Sequence, residues 1–324
     1  MSVKGLDYLL QKPTSGVPPW PLLVFLHGAG ERSKGNQRKD FKLLRKHGPW
    51  KSPFIDHLLL LAPQCNKGTV WPALVDEVLS LIKQVIREHP VAKGRIYISG
   101  LSMGAFGAWA VVNAAPNLFA AIVPISGGFA KKMPKHTSVE AVKRLALEPV
   151  TLPMVEHLSH VPVWIFHGEE DPTVNVAGAI SLHAALKSSG KQCPHLLTVY
   201  PYIGHGPCWK KVYKSTEVFS WLLQQASVTP SRVPADLVAP SIGRVISYPR
   251  LGLRLQFVKE VAGSIPTQMK QLVAWDAAAA EEIQKMSKMA HRRFVAKSKV
   301  VSRRLQTLRR ANEAKTNKKR KKRV

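Results

Sequence analysis

Cysteine is scarce in this chain. Cys65, Cys193 and Cys208 are the three in 324 residues, an odd number and widely spaced, so no disulfide framework is implied and a reducing, intracellular compartment is expected, cytoplasm or nucleus ahead of an organelle. Long apolar runs are also missing. None approaches the roughly twenty residues needed to cross a membrane, and the amino end, Met1 to Asp7, lacks both the apolar core of a secretion signal and the Arg-rich look of a transit peptide. Metal spacing is absent too: Cys193, His195, His205 and Cys208 offer two sulfurs and two nitrogens, but not at the intervals of a recognised zinc module, so neither metal nor other cofactor is expected. Acid is the last deficit, with 20 Asp and Glu against 48 Lys and Arg. What the chain does have is a 45% apolar content, enough to bury a full core.

That apolar content is grouped into short runs, each ending in a small-residue loop. Arg95-Ile96-Tyr97-Ile98-Ser99 leads into Gly100-Leu101-Ser102-Met103-Gly104 and then into a helical pattern from Ala105 to Ala110. A strand, a sharp turn and a helix are the setting in which G-x-S-x-G holds a serine hydroxyl in the open. Only glycines at the flanks let strand and helix close so tightly. Ser102 is therefore the candidate nucleophile. Upstream, Pro21 to Leu26 ends in His27-Gly28-Ala29-Gly30-Glu31-Arg32, a loop able to turn N–H groups of Gly28 or Ala29 toward a tetrahedral oxyanion, with Met103 N–H as the second donor. His27 reads as a brace for that loop. Downstream, Val161 to Phe166 ends in His167-Gly168-Glu169-Glu170-Asp171, and Leu196 to Tyr200 precedes Gly204-His205-Gly206. Asp171 can orient an imidazole, and His205 can supply one. All three residues follow strand ends, which in a parallel sheet lie on one edge.

Taken together, Val24 to Arg32, Ala62 to Cys65, Trp71, Arg95 to Gly104, Phe119 to Gly128, His167 to Asp171, and Gly204-His205 with Trp209 and Tyr213 resemble the small esterase and predicted-peptidase branch of the α/β-hydrolases, alongside dienelactone hydrolases, feruloyl esterases and carboxylesterase/phospholipase-type enzymes. The resemblance spans about residues 20 to 223, and Ser102, Asp171, His205 stand in the chain order of that superfamily. It implies a serine hydrolase of small acyl esters, with those three as triad and the His27–Gly30 loop giving part of the oxyanion hole. Two departures stand out. Ala105 replaces a second glycine and should crowd the turn slightly, and the loop after Glu31 carries Arg32, Lys34, Arg38, Lys39, Lys42, Arg45 and Lys46. The expected fold is a three-layer α/β sandwich over residues 15–225. It would hold a mostly parallel sheet of about six strands and helices over Ala73 to Glu88 and Val176 to Ser188.

Charge divides the chain. Residues 1–225 carry 25 Lys and Arg against 14 Asp and Glu, and residues 226–324 carry 23 against 6. The organisation that follows is a hydrolase-like domain over 1–225, an extended linker over 226–266, a basic amphipathic helix over 267–316 and a disordered basic tail over 317–324. Pro230, Pro234, Pro240, Pro249 and Pro266 punctuate the linker, where 251–258 could pair as a short strand. In the helix, Leu272, Trp275, Ala279, Ile283, Met286, Ala290, Phe294, Val301, Leu305 and Leu308 step by three and four along one face, with one break near Lys297. Arg292, Arg293, Arg303, Arg304, Arg309 and Arg310 ring it, and Lys318, Lys319, Arg320, Lys321, Lys322 and Arg323 close the chain. A charged helix docked on the body, a nuclear-import signal and a membrane-surface helix each explain part of this pattern. Contact with RNA or a ribonucleoprotein particle explains both the helix and the basic body, because phosphate neutralisation needs no sequence-reading motif. Two classes of function remain: a serine hydrolase with a basic RNA-binding or targeting tail, and a hydrolase fold recruited into a ribosome-like particle with its triad idle.

Overall fold

The computed structural model describes residues 6–35, 37–190 and 193–226, and the backbone of two short strands farther on. In chain order the elements are β1 (Tyr8–Gln11), β2 (Trp20–Leu26), α1 (Gln37–Leu44), β3 (Leu59–Pro63), α2 (Val75–Glu88), β4 (Val91–Leu101), α3 (Met103–Ala114), β5 (Ala121–Ile125), α4 (Val139–Arg144), α5 (Leu152–Val155), β6 (Val163–Gly168), α6 (Ala177–Lys187), β7 (His195–Tyr200), α7 (His205–Val212) and α8 (Thr216–Gln224). The strands form one sheet in the order β1-β3-β2-β4-β5-β6-β7. Strands β2 to β7 are parallel, and β1 is an antiparallel edge, Tyr8 facing Pro63. The helices expected near 73–88 and 176–188 are α2 and α6.

Each central strand is apolar on both faces because both faces are covered, as a parallel sheet requires. On β2, Leu22, Val24 and Leu26 enter one core layer with α2 and α3, while Leu23 and Phe25 enter the other with Val212, Phe219 and Leu222 of α7 and α8. α2 presents Val75, Val78, Leu81, Ile82 and Val85 as a single buried stripe. α3 instead buries every residue from Met103 to Val112, the pattern of a helix enclosed on all sides. The order of strands reverses between β2 and β4, whose register pairs Leu26 with Gly100. Outside the carboxyl ends of strands at such a reversal lies the crevice where open α/β sheets bind ligands.

One sequence expectation is revised. The cation-rich stretch after Glu31, read as loop, contains α1, because the buried Asp40 accepts hydrogen bonds from Ser33 Oγ (2.8 Å) and the Lys34 N–H (2.9 Å) and ties the helix to the preceding turn. Within 226–266, Val245–Tyr248 pairs antiparallel with Leu253–Gln256. The second of these strands falls inside the 251–258 segment read as able to pair. The helix expected over 267–316 and the tail over 317–324 lie outside the described residues, as do all twelve basic residues assigned to RNA contact.

Candidate active site

Ser102 sits between β4 and α3 with φ 54° and ψ −120°, a positive φ that costs a non-glycine residue energy and persists only where its surroundings enforce it. The enforcement is visible. A Cβ on Gly100 would strike the Gly104 carbonyl, and one on Gly104 would strike the carbonyl of Leu26, so the strand, the helix and the end of β2 approach one another only because both positions lack side chains. The departure at Ala105 is absorbed nearby. Its methyl group fills the space that a Cβ on Gly127 would need, and the crowding expected there is relieved by that glycine.

The structure brings Ser102, His205 and Asp171 together. Ser102 Oγ lies 2.9 Å from His205 Nε2, and His205 Nδ1 lies 2.5 Å from Asp171 Oδ2. His205 opens α7, and its ring meets Trp209, one helical turn on, edge to face at 4.8 Å. The loops that deliver the acid and the base are laced to each other: Glu169 N–H donates to Tyr200 O and Glu170 N–H to Ile203 O, both at 3.0 Å. Gly168 makes this approach feasible, since a Cβ there would meet the carbonyls of Ile203 and Gly204. Asp171 is wholly enclosed. Burial alone would raise its carboxyl, but hydrogen bonds from His167 and His205, and their positive charge when protonated, hold it well below the usual carboxylate range.

The candidate oxyanion donors converge on the same edge. Ala29 opens a 3-10 turn (Ala29–Glu31) and Met103 opens α3, and the first N–H groups of a helical turn have no partner within it. Gly28 N–H is less free than Ala29 N–H, because the buried Glu31 carboxyl accepts a hydrogen bond from it. Burial raises that carboxyl, against the opposing pull of the Gly28 bond, Lys46 and its own N–H. His27 braces this loop as the sequence suggested. Its Nδ1 donates to Gly28 O (2.7 Å), its Nε2 accepts from Cys65 N–H (3.0 Å), and Trp71 Nε1 donates to His27 O (2.8 Å). Burial holds the imidazole neutral, its pKa lowered to about 4. Arg32 adds a clamp, Nε to Ala29 O at 3.1 Å and one terminal nitrogen to Thr69 O at 3.3 Å.

Sequence reasoning assigned no role to three residues that frame the site. Trp209 and His47 stand in succession behind His205, His47 meeting Trp209 edge-on at 5.8 Å and Glu31 Oε1 at 3.7 Å. His167 stands behind Asp171, with Nε2 at 3.4 Å from Oδ2. The His-Gly at the end of β6 was the available signal, since it repeats the His-Gly at the end of β2.

The prolyl oligopeptidase family matches residues 72–229, which include all three of Ser102, Asp171 and His205. Among solved structures, a thermostable esterase superposes with a TM-score of 0.54 at 29% identity over 68% of this chain, which spans 59% of that protein's length. A phospholipase/carboxylesterase from Dyadobacter fermentans (TM-score 0.40, 20% identity, 66% of this chain, 97% of that one) and Est1E from Butyrivibrio proteoclasticus (0.45, 17%, 68% and 94%) are also similar. No curated protein matches. The chain has the α/β-hydrolase fold. Among the described residues, no helix is long and apolar enough to cross a membrane.

Proposed function

We propose that the protein is a serine hydrolase of small acyl esters. The observation that carries this reading is the continuous relay from Ser102 Oγ through His205 to an enclosed Asp171. In the reaction, Ser102 Oγ attacks the ester carbonyl while His205 Nε2 takes its proton, and the carbonyl oxygen becomes an oxyanion facing the N–H groups of Ala29 and Met103. Collapse expels the alcohol, which leaves with the proton from His205. Water then repeats the sequence on the acyl-serine and frees the acid. Asp171, held ionised by its hydrogen bonds, keeps Nδ1–H fixed so that Nε2 is the nitrogen that faces serine. An active-site-directed fluorophosphonate should label the native protein and leave Ser102→Ala unlabelled. The same substitution should lower ester turnover by roughly 10⁴-fold or more. Native protein that takes no label would sink the hydrolase reading.

We infer for the carboxyl-terminal region that it binds RNA or a ribonucleoprotein particle. The charge of residues 226–324 supports this, 23 Lys and Arg against 6 Asp and Glu. Contacts would run from Arg292, Arg293, Arg303, Arg304, Arg309, Arg310 and the Lys318–Arg323 run to phosphates. Binding would then depend weakly on sequence and strongly on salt, falling about a thousandfold between 50 and 200 mM if six or more phosphates are neutralised. A truncation at Pro266 that keeps the affinity and salt slope of the full chain would overturn the assignment. Unlabelled protein that co-sediments with ribosomal RNA would favour the recruited, catalytically idle alternative.

A further inference from the structure

Asp171 has four lone-pair sites and four donors. Oδ1 accepts the N–H groups of Thr173 (2.8 Å) and Val174 (2.9 Å), and Oδ2 faces His205 Nδ1 at 2.5 Å and His167 Nε2 at 3.4 Å. The protonation of His167 follows from its neighbours. Nε2 lies 3.1 Å from Val174 O, which can only accept, and the Asp171 carboxylate can only accept, so Nε2 carries the proton and shares it between them. Nδ1 is then a bare acceptor. It is buried without a hydrogen-bond partner, in a side chain with no solvent exposure. Leaving a buried acceptor unpaired is unfavourable, and an apolar side chain here would avoid it. Packing therefore does not account for an imidazole at this position, whereas the Nε2–H contacts to Val174 O and Asp171 do.

We propose that His167 is a positioning residue for the triad: its Nε2–H supplies the second hydrogen bond to Asp171 Oδ2, fixing the carboxylate plane and restraining how strongly that oxygen holds the protonated form of His205. This rests on the hydrolase reading. Two donors on one oxygen share its charge, so each is held less tightly than it would be alone. With His167 in place, His205 releases its proton to the leaving alcohol more readily. Without it, the carboxylate oxygen turns its whole charge on His205, return of the proton to the leaving alcohol is harder, and the acidic limb of kcat/KM moves to higher pH. The elements that carry Asp171 and His205 also hold Glu169 and Glu170 in the acid loop, and Lys211 and Cys208 on α7, where burial pushes the Cys208 thiol up to about 12. Beyond Trp209 stand His47, Lys46 and Lys210. None of these is altered by a change at His167.

The experiment measures pH profiles of kcat and KM on a neutral nitrophenyl ester for His167→Leu, His167→Gln and His167→Asn. Gln can present a donor near the position of Nε2, and Asn is too short to do so. Leu should lower kcat by about tenfold with little change in KM, a small part of what a general base contributes, and should move the acidic limb upward. Gln should restore both. If Leu does not fold, Asn carries the same expectation. Profiles for Leu or Asn that match wild type, in protein that still takes the fluorophosphonate label, would overturn the His167 proposal alone. Wild-type protein that takes no label would overturn it together with the hydrolase reading.

Discussion

Two His-Gly pairs end two strands of the same sheet and serve the site differently. His27-Gly28 closes β2, and His167-Gly168 closes β6; both imidazoles are wholly buried. His27 uses both ring nitrogens on backbone, Gly28 O and Cys65 N–H. His167 uses one on Val174 O and the edge of a carboxylate, and leaves the other bare. A fully satisfied imidazole holds a loop. One that keeps an unpaired nitrogen beside an acid is retained for that acid. The glycines diverge in the same way: a Cβ on Gly28 would press on the Leu101 side-chain tip at 2.8 Å and on Glu31 Oε2 at 3.0 Å, whereas one on Gly168 would strike the main-chain carbonyls of Ile203 and Gly204.

The sharpest test of that contrast is a pair of alanine substitutions. At Gly168 the obstruction is backbone, so Gly168→Ala must push the His205 loop away from β6 or distort the strand. A displacement of about 1 Å at a catalytic group can cost around a hundredfold in rate. Gly28→Ala meets only movable side-chain ends and should cost about tenfold or less, because Leu101 can turn aside in the rotamers open to it. The comparison is between ester turnover rates at equal labelled-site concentration. Equal losses would show that the two glycines do the same job.

A second pair separates loop support from acid control. His27→Leu leaves Cys65 N–H buried without a partner, worth about 1–3 kcal/mol, and takes from Gly28 O one of its two donors, the Glu31 N–H remaining. It should lower the denaturation midpoint while leaving the shape of the pH–rate profile intact. His167→Leu should change that profile more than it changes the midpoint, since the orphaned Nδ1 it removes offsets part of the lost Nε2–H contacts to Val174 O and Asp171. Midpoints from urea titration and profiles from steady-state kinetics distinguish them. A shifted profile for His27→Leu would put both histidines in one class.

How much of this was legible beforehand depended on whether a residue's role was local. The runs at Pro21–Leu26 and Val161–Phe166, each ended by His-Gly, marked the strand ends, and G-x-S-x-G with its following helix marked the turn. These are signals held within a few residues. β1 gave none, because Tyr8–Gln11 is four half-buried residues whose strand character comes from pairing with β3. α1 was hidden by its charge, since only Phe41, Leu43 and Leu44 among its eight residues are apolar. The second partner of Asp171 was hidden differently. The spacing of His167 and Asp171 shows that both stand at the end of β6, but which atoms meet depends on the path of the chain through Thr173 and Val174.

The smallest expected effect concerns acid. His27 has its pKa lowered to about 4 by burial, against the hydrogen bond to Gly28, with Arg32 adding to the decrease. In an unfolded chain the imidazole titrates near the ordinary 6.5. Above about 6.5 neither state binds the proton and the group has no effect on stability. As pH falls from there the unfolded chain takes up a proton that the folded one refuses, so stability declines, and the decline from this group ends near 4. The full loss is at most about 3 kcal/mol. His183, also lowered to about 4 by burial, acts over the same window with the same sign. His27→Leu should therefore start from a lower midpoint at pH 7.5 but lose less on going to pH 4.5 than wild type does. A parallel decline in the two proteins would mean that His27 is charged in the folded state, and its Nε2 could not then be the acceptor for Cys65 N–H.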